Sequence, residues 1–146
     1  MESRTFHTRS EEETIALGRK LAAELTDGVV LLIGNLGAGK TTLAKGIVEG
    51  RNGTPADEVC SPTFTLIHQY GDQYGDKDPV YHIDLYRLDE QREVESLGLD
   101  EIFGSGALIL LEWGERFPAL LPRQRTEIRL RALPDERREI NVAQVS

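Results

Sequence analysis

Val29-Val30-Leu31-Leu32-Ile33-Gly34-Asn35-Leu36-Gly37-Ala38-Gly39-Lys40-Thr41-Thr42 is the stretch on which the fold turns. The five apolar residues read as a buried strand, and Gly34, Gly39, Lys40 and Thr41 then fall on the fixed positions of the pattern G-x-x-x-x-G-K-[ST]. Gly34, Gly37 and Gly39 let the backbone adopt conformations that a Cβ resists, so successive N–H groups can turn toward one anion. A helix opening near Lys40 points its positive end at the same place, worth roughly 0.3–1 kcal/mol per exposed charge. Lys40 is then expected to bridge the β and γ phosphates and the Thr41 hydroxyl to ligate Mg²⁺. A glycine-rich turn that binds nothing would match the glycines alone, whereas strand, spacing, lysine and hydroxyl agree here.

Working outward, Ser10 and Glu13 form an S-x-x-E capping box, and Leu17, Leu21 and Leu25, flanked by Ile15 and Ala22, mark an amphipathic helix to about Thr26. Asp27-Gly28 ends it, Glu11 to Glu13 read as a solvated first turn, and residues 4–8 read as a short first strand. Downstream, Leu43, Ile47 and Val48 form the inner face of a second helix that stops near Gly50 to Gly53, and residues 50–58 read as a surface loop. Residues 63–70 and 80–86 suggest a hairpin across the polar stretch Gly71 to Pro79. Short helical pieces are expected between Leu88 and Phe103 with a break at Leu97-Gly98-Leu99, then a buried parallel strand at 107–111. A helical turn at 115–121 and a hairpin of 126–133 with 137–143 about Pro134-Asp135 complete the chain. Together these predict an α/β fold of the P-loop NTPase type, a three-layer sandwich whose mainly parallel central sheet carries antiparallel hairpin additions.

At 146 residues the chain reads as a single domain spanning 1–146, with no repeat, low-complexity tract or linker. A net charge of -8 argues against a chain that grips a nucleic-acid backbone by itself, since that requires clustered Lys and Arg. Cys60 is the one cysteine, which excludes an internal disulfide and suits a reducing cytoplasm. No secretory signal is evident, and no apolar run approaches the 18 or so residues of a membrane span.

A metal-dependent NTPase also needs an acid delivered by a neighbouring strand. Glu112 ends the run Ala107 to Leu111 and meets that need; an ordinary acidic residue at a strand end is the plainer reading. Asp84 could orient the attacking water, support the metal or pair with Arg87. Ser61 and Thr63 follow a loop and could sense a γ phosphate, against simple turn capping. His82 reads as packing or hydrogen bonding, and His7, His68 and His82 lack metal-ligand spacing. Trp113 and Cys60 read as core residues, Trp113 with a partner anchor as the alternative.

Taken in order, G-N-L-G-A-G-K-T-T-L, S-P-T-F-T-L, Y-H-I-D-L-Y-R-L and L-L-E-W resemble the bacterial TsaE family over residues 10–143. The resemblance implies an ATPase required for threonylcarbamoylation of tRNA adenosine 37, acting on a TsaD-TsaB heterodimer that ATP hydrolysis resets between turnovers, with tRNA met only through that complex. It implies that Gly37, Ala38, Gly39, Lys40, Thr41 and Thr42 hold the phosphates of ATP, that Thr41 and Glu112 hold Mg²⁺, and that Lys40, Asp84 and Glu112 serve hydrolysis. By the same resemblance, Ser61, Pro62 and Thr63 form a switch-like segment, and Glu11 and Arg138 border the adenosine. Asn35 stands where the family often has Asp, and Gly114 where Pro often follows the tryptophan. The sequence leaves two alternatives: a small-molecule kinase, for which Arg116, Arg123 and Arg125 could serve a lid, and a nucleotide-binding switch without catalysis. No N-K-x-D guanine motif is present.

Overall fold

The computed structural model describes residues 3–71 and 78–146. Its strands are β1 (Ser3–Thr8), β2 (Gly28–Ile33), β3 (Ile67–Tyr70), β4 (Val80–Asp84), β5 (Leu108–Glu112), β6 (Arg125–Ala132) and β7 (Arg138–Val145). The helices are α1 (Glu11–Ala22), α2 (Lys40–Asn52), α3 (Gln91–Glu95) and α4 (Leu99–Phe103), with 3₁₀ turns at Ala56–Glu58, Gly114–Arg116 and Pro118–Leu120. The strands make one sheet in the order β1-β7-β6-β2-β5-β4-β3. Its centre, β6-β2-β5-β4, is parallel, and both edges are antiparallel, β3 on β4 and the β6-β7 hairpin extended by β1.

Alternation along the central strands makes two cores. Val30, Leu32, Leu108, Leu110, Ile128 and Leu130 face α1 and α2, while Val29, Leu31, Ile109 and Leu111 face α3, α4 and Phe117. β5 is buried at every position, as its unbroken apolarity requires of a strand covered on both faces. The helix layer on the first face is unusually close. A Cβ at Gly46 would lie 2.0 Å from the Ile15 carbonyl oxygen, and one at Gly18 2.6 Å from that of Leu43, so α1 and α2 meet backbone to backbone. That contact holds the start of α1 beside the loop that opens α2.

The capping box forms with one arm displaced. The Ser10 hydroxyl accepts from the Glu13 N–H at 3.1 Å, but the Glu13 carboxylate takes the N–H of Arg9 rather than that of Ser10. α1 stops at Ala22, four residues before Thr26, because Leu25 folds into the core and Arg51 takes its carbonyl and the Asp27 carboxylate. The strand expected over 63–70 begins only at Ile67. Residues 62–66 turn instead, with Leu66 at φ 72°, because the Thr63 hydroxyl donates to Asp84 and the Leu66 N–H to Pro62. The partner strand ends at Asp84, whose carboxylate captures the N–H of Tyr86. Residues 72–77 of the expected hairpin turn lie outside the described residues. Cys60 is exposed, not core: its neighbour Val59 takes the inward position. Gly98 breaks the helical pieces as expected, at φ 71°, and Gly114 begins a 3₁₀ turn.

Candidate active site

Three parallel strands end at one place. In register, Leu32 of β2 stands beside Glu112 of β5, and Glu112 beside Asp84 of β4, so the loop after β2 and two carboxylates meet at the carboxyl edge of the sheet. The loop itself turns through left-handed conformations at Gly37 (φ 82°) and Gly39 (φ 103°), where only glycine is unstrained. α2 has no side-chain cap, in contrast to α1 with Ser10, and so offers its first N–H groups to a ligand. These elements border a cleft of about 640 Å³.

Of the residues named from the sequence, Glu11, Gly37, Gly39, Lys40, Thr41, Thr42, Ser61, Thr63, Asp84, Glu112, Trp113 and Arg138 all line this cleft. Ala38 turns its side chain into the core, and its N–H donates to the Asn35 carbonyl. Lys40 is buried; its ammonium donates to the Gly34 carbonyl at 2.7 Å and lies 3.7 Å from the centre of the Trp113 ring. Burial pushes that ammonium below the usual lysine range, against the pull of Glu112, Glu115 and Asp84. The Thr41 hydroxyl donates to Glu112 Oε2 at 3.4 Å. Across the cleft Ser61 Oγ is 2.7 Å from Thr63 Oγ1, which donates to Asp84 Oδ2 at 2.9 Å. Arg138 reaches the Gly37 carbonyl at 3.4 Å.

Trp113 is thus a wall of the site, with Tyr86 against its ring at 5.2 Å, and only partly a core residue. Arg87 does not pair with Asp84 among the described residues; it donates to the Phe64 carbonyl and lies over the Phe64 ring. Arg116 holds the Tyr86 carbonyl and Arg125 is tied to Glu127 and the Pro122 carbonyl, and neither these nor Arg123 lines the cleft. The arginine lid that a kinase would require is therefore not formed by these three. Sequence reasoning missed Tyr86, Glu136 and Glu115, and gave His82 no partner. His82 Nε2 lies 2.5 Å from Glu112 Oε2. Glu115 is half-buried beside Lys40, and burial raises its carboxyl above the usual range. His82 was discoverable only given β4 beside β5, since its i, i+2 relation to Asp84 puts both on the face that carries Glu112.

Two oxygen ligands from different elements, the alcohol of Thr41 in the first turn of α2 and the carboxylate of Glu112 at the end of β5, with the Asp84 carboxylate in register, match the hard-oxygen chemistry of Mg²⁺, which takes few protein ligands and keeps open positions. The residues therefore fit that ion.

A family model described as threonylcarbamoyl adenosine biosynthesis protein TsaE matches residues 8–140. The chain belongs to the TsaE family. The tRNA threonylcarbamoyladenosine biosynthesis protein TsaE of Bacillus subtilis is 40% identical over 146 aligned residues, covering 99% of this chain and 88% of that one. The TsaE of Treponema pallidum is 38% identical over 138 residues, 93% of this chain and 97% of that one. The crystal structure of Bacillus subtilis YdiB superposes with a TM-score of 0.77 at 34% identity, covering 99% of this chain and 87% of that one. As a TsaE protein the chain has a role in tRNA threonylcarbamoyladenosine biosynthesis, on a fold of the P-loop type. Among the described residues no helix is long and apolar enough to cross a membrane.

Proposed function

We propose that the chain is a Mg²⁺-dependent ATP hydrolase that binds a TsaD-TsaB complex and, through its nucleotide cycle, supports threonylcarbamoylation of adenosine 37 in tRNA. The observation that carries this reading is the approach of Thr41 Oγ1 and Glu112 Oε2, 3.4 Å apart, where the glycine-rich loop meets the uncapped start of α2. The N–H groups of residues 37–42 and the Lys40 ammonium bind the phosphates, and Glu11 and Arg138 border the nucleoside at the mouth of the cleft. Thr41 and Glu112 would hold Mg²⁺, which when bound would neutralise charge on the phosphates. Asp84 accepts a hydrogen bond from the attacking water and so orients it. Its carboxylate is already steadied by Thr63 and by the Tyr86 N–H, which couples the 61–66 turn to the hydrolytic centre.

The short chain has little with which to cover the cleft, and slow turnover alone follows. A cation supplied by the partner would add roughly 10³–10⁵ in rate if it acts as an arginine finger does. The test is ATP turnover by the purified chain with and without TsaD-TsaB, in Mg²⁺ and in EDTA. A Mg²⁺-dependent rate that rises with the partner is expected. Equal rates with and without TsaD-TsaB would remove partner activation, and no turnover under any condition would remove the hydrolase.

A further inference from the structure

We propose that His82 is a positioning residue that fixes the Glu112 carboxylate for a divalent cation, an inference that rests on the metal role given to Glu112 above. His82 sits on β4 beside Leu110 of β5, two residues before the register pair Asp84 and Glu112, and points to the same face as Glu112. It is completely buried, and Glu112 is nearly so. A carboxylate that ligates a cation is ionised, and an imidazole nitrogen can hold it only by donating N–H, so this role requires the tautomer with the proton on Nε2, the nitrogen that faces Oε2. Nδ1 is buried with no partner among the described residues.

Packing alone does not account for this side chain. A ring nitrogen buried without a partner is unfavourable, and an aliphatic residue like Ile83 next to it would fill the space without one. What the imidazole adds is a donor behind the carboxylate. Oε2 has two donors, His82 and, more weakly at 3.4 Å, Thr41. If the Thr41 hydroxyl turns to a cation, His82 alone keeps Oε2 in place, and the remaining freedom of the Glu112 side chain is removed. Partners that orient a ligating carboxylate in this way commonly change metal affinity by about 10–100-fold when they are lost.

The experiment is calorimetric titration of ADP into the wild-type chain and His82→Leu, His82→Gln and His82→Asn, each with Mg²⁺ and with EDTA. Circular dichroism and Tm confirm the fold of each variant. Gln carries an N–H to about the reach of imidazole Nε2, whereas Asn stops near the reach of Nδ1. Binding of ADP in EDTA is expected to stay within about twofold for every folded variant, while the gain on adding Mg²⁺ falls about 10–100-fold in His82→Leu and His82→Asn and is restored by His82→Gln. If His82→Leu does not fold, the contrast between His82→Gln and His82→Asn decides alone. A Mg²⁺-dependent gain equal in all folded variants would overturn the assignment. A wild-type chain whose ADP binding is the same in Mg²⁺ and in EDTA would instead overturn the metal role of Glu112 itself.

Discussion

Lys40 concentrates the electrostatics of the site. It is a buried ammonium between the Gly34 carbonyl and an indole face, with the carboxylates of Glu112, Glu115 and Asp84 close enough to favour its charge. Glu112 and Asp84 together outnumber this one base, an excess that a divalent cation would balance. Glu112→Gln keeps the shape and removes the charge; Mg²⁺-dependent hydrolysis is expected to fall by about 10²-fold with ADP binding in EDTA retained, checked by phosphate release and calorimetry. Glu115 carries a different signature. Its Oε1 is buried without a partner among the described residues, and burial raises its carboxyl above the ordinary glutamate value. The folded state therefore favours the protonated acid. Below the unfolded-state value both states are protonated and nothing is lost; stability falls as pH rises through the folded-state value. Glu115→Gln is expected to raise Tm at pH 8 and to leave it unchanged at pH 4, measured by thermal denaturation at both.

At the scale of elements, the contact between α1 and α2 decides where the cleft has its second wall. A side chain at Gly46 would collide with the Ile15 main chain, which cannot swing away as a side-chain tip can. Gly46→Ala is expected to destabilise the protein by about 1–3 kcal/mol, read from urea denaturation. Gly104→Ala, at φ -90° with its nearest new contact at 3.4 Å, is the control and should stay within about 0.5 kcal/mol. The turn at 62–66 is a second element-level device. Thr63 ties it to Asp84 and Arg87 ties it to β4's exit through the Phe64 carbonyl. Thr63→Val is expected to lower the hydrolysis rate while ADP affinity changes less than threefold, a split read from steady-state kinetics beside calorimetry.

For the whole molecule, charge sets the partners. With 25 acidic and 17 Lys or Arg residues, the chain repels a polyanion. Phosphate contacts lose affinity steeply with salt even in basic proteins. No retention of tRNA by the isolated chain is expected in a filter-binding assay at physiological salt, whereas a complex with TsaD-TsaB would retain it through its partners. Phe64 is 82% exposed and Leu36 66% exposed, both on loops beside the cleft. Large apolar side chains in open solvent beside the cleft are the kind of surface a protein partner covers, in keeping with the proposed binding of TsaD-TsaB.

The phosphate loop, the helix it opens, the buried strand ending in Glu112 and the terminal hairpin were legible in the chain because each is written in neighbouring residues: period, caps, glycine positions and turn chemistry. Helix α1 ran shorter than its pattern because Arg51, distant in sequence, claims the carbonyl of Leu25. The strand before Ile67 gave way to a turn because Thr63 has a tertiary partner in Asp84. Trp113 left the core for the same kind of reason, its ring lying against Lys40 and Tyr86, whereas Cys60 faces outward because its neighbour Val59 points in. Which strand lies beside which cannot be read from local pattern, and that order alone places His82 behind Glu112 and Glu115 beside Lys40. Local sequence thus determined the elements and most of the residues that could do chemistry. Only the folding of distant segments onto one sheet edge decided which of them touch, because hydrogen bonds and burial between remote residues depend on strand neighbours and helix packing.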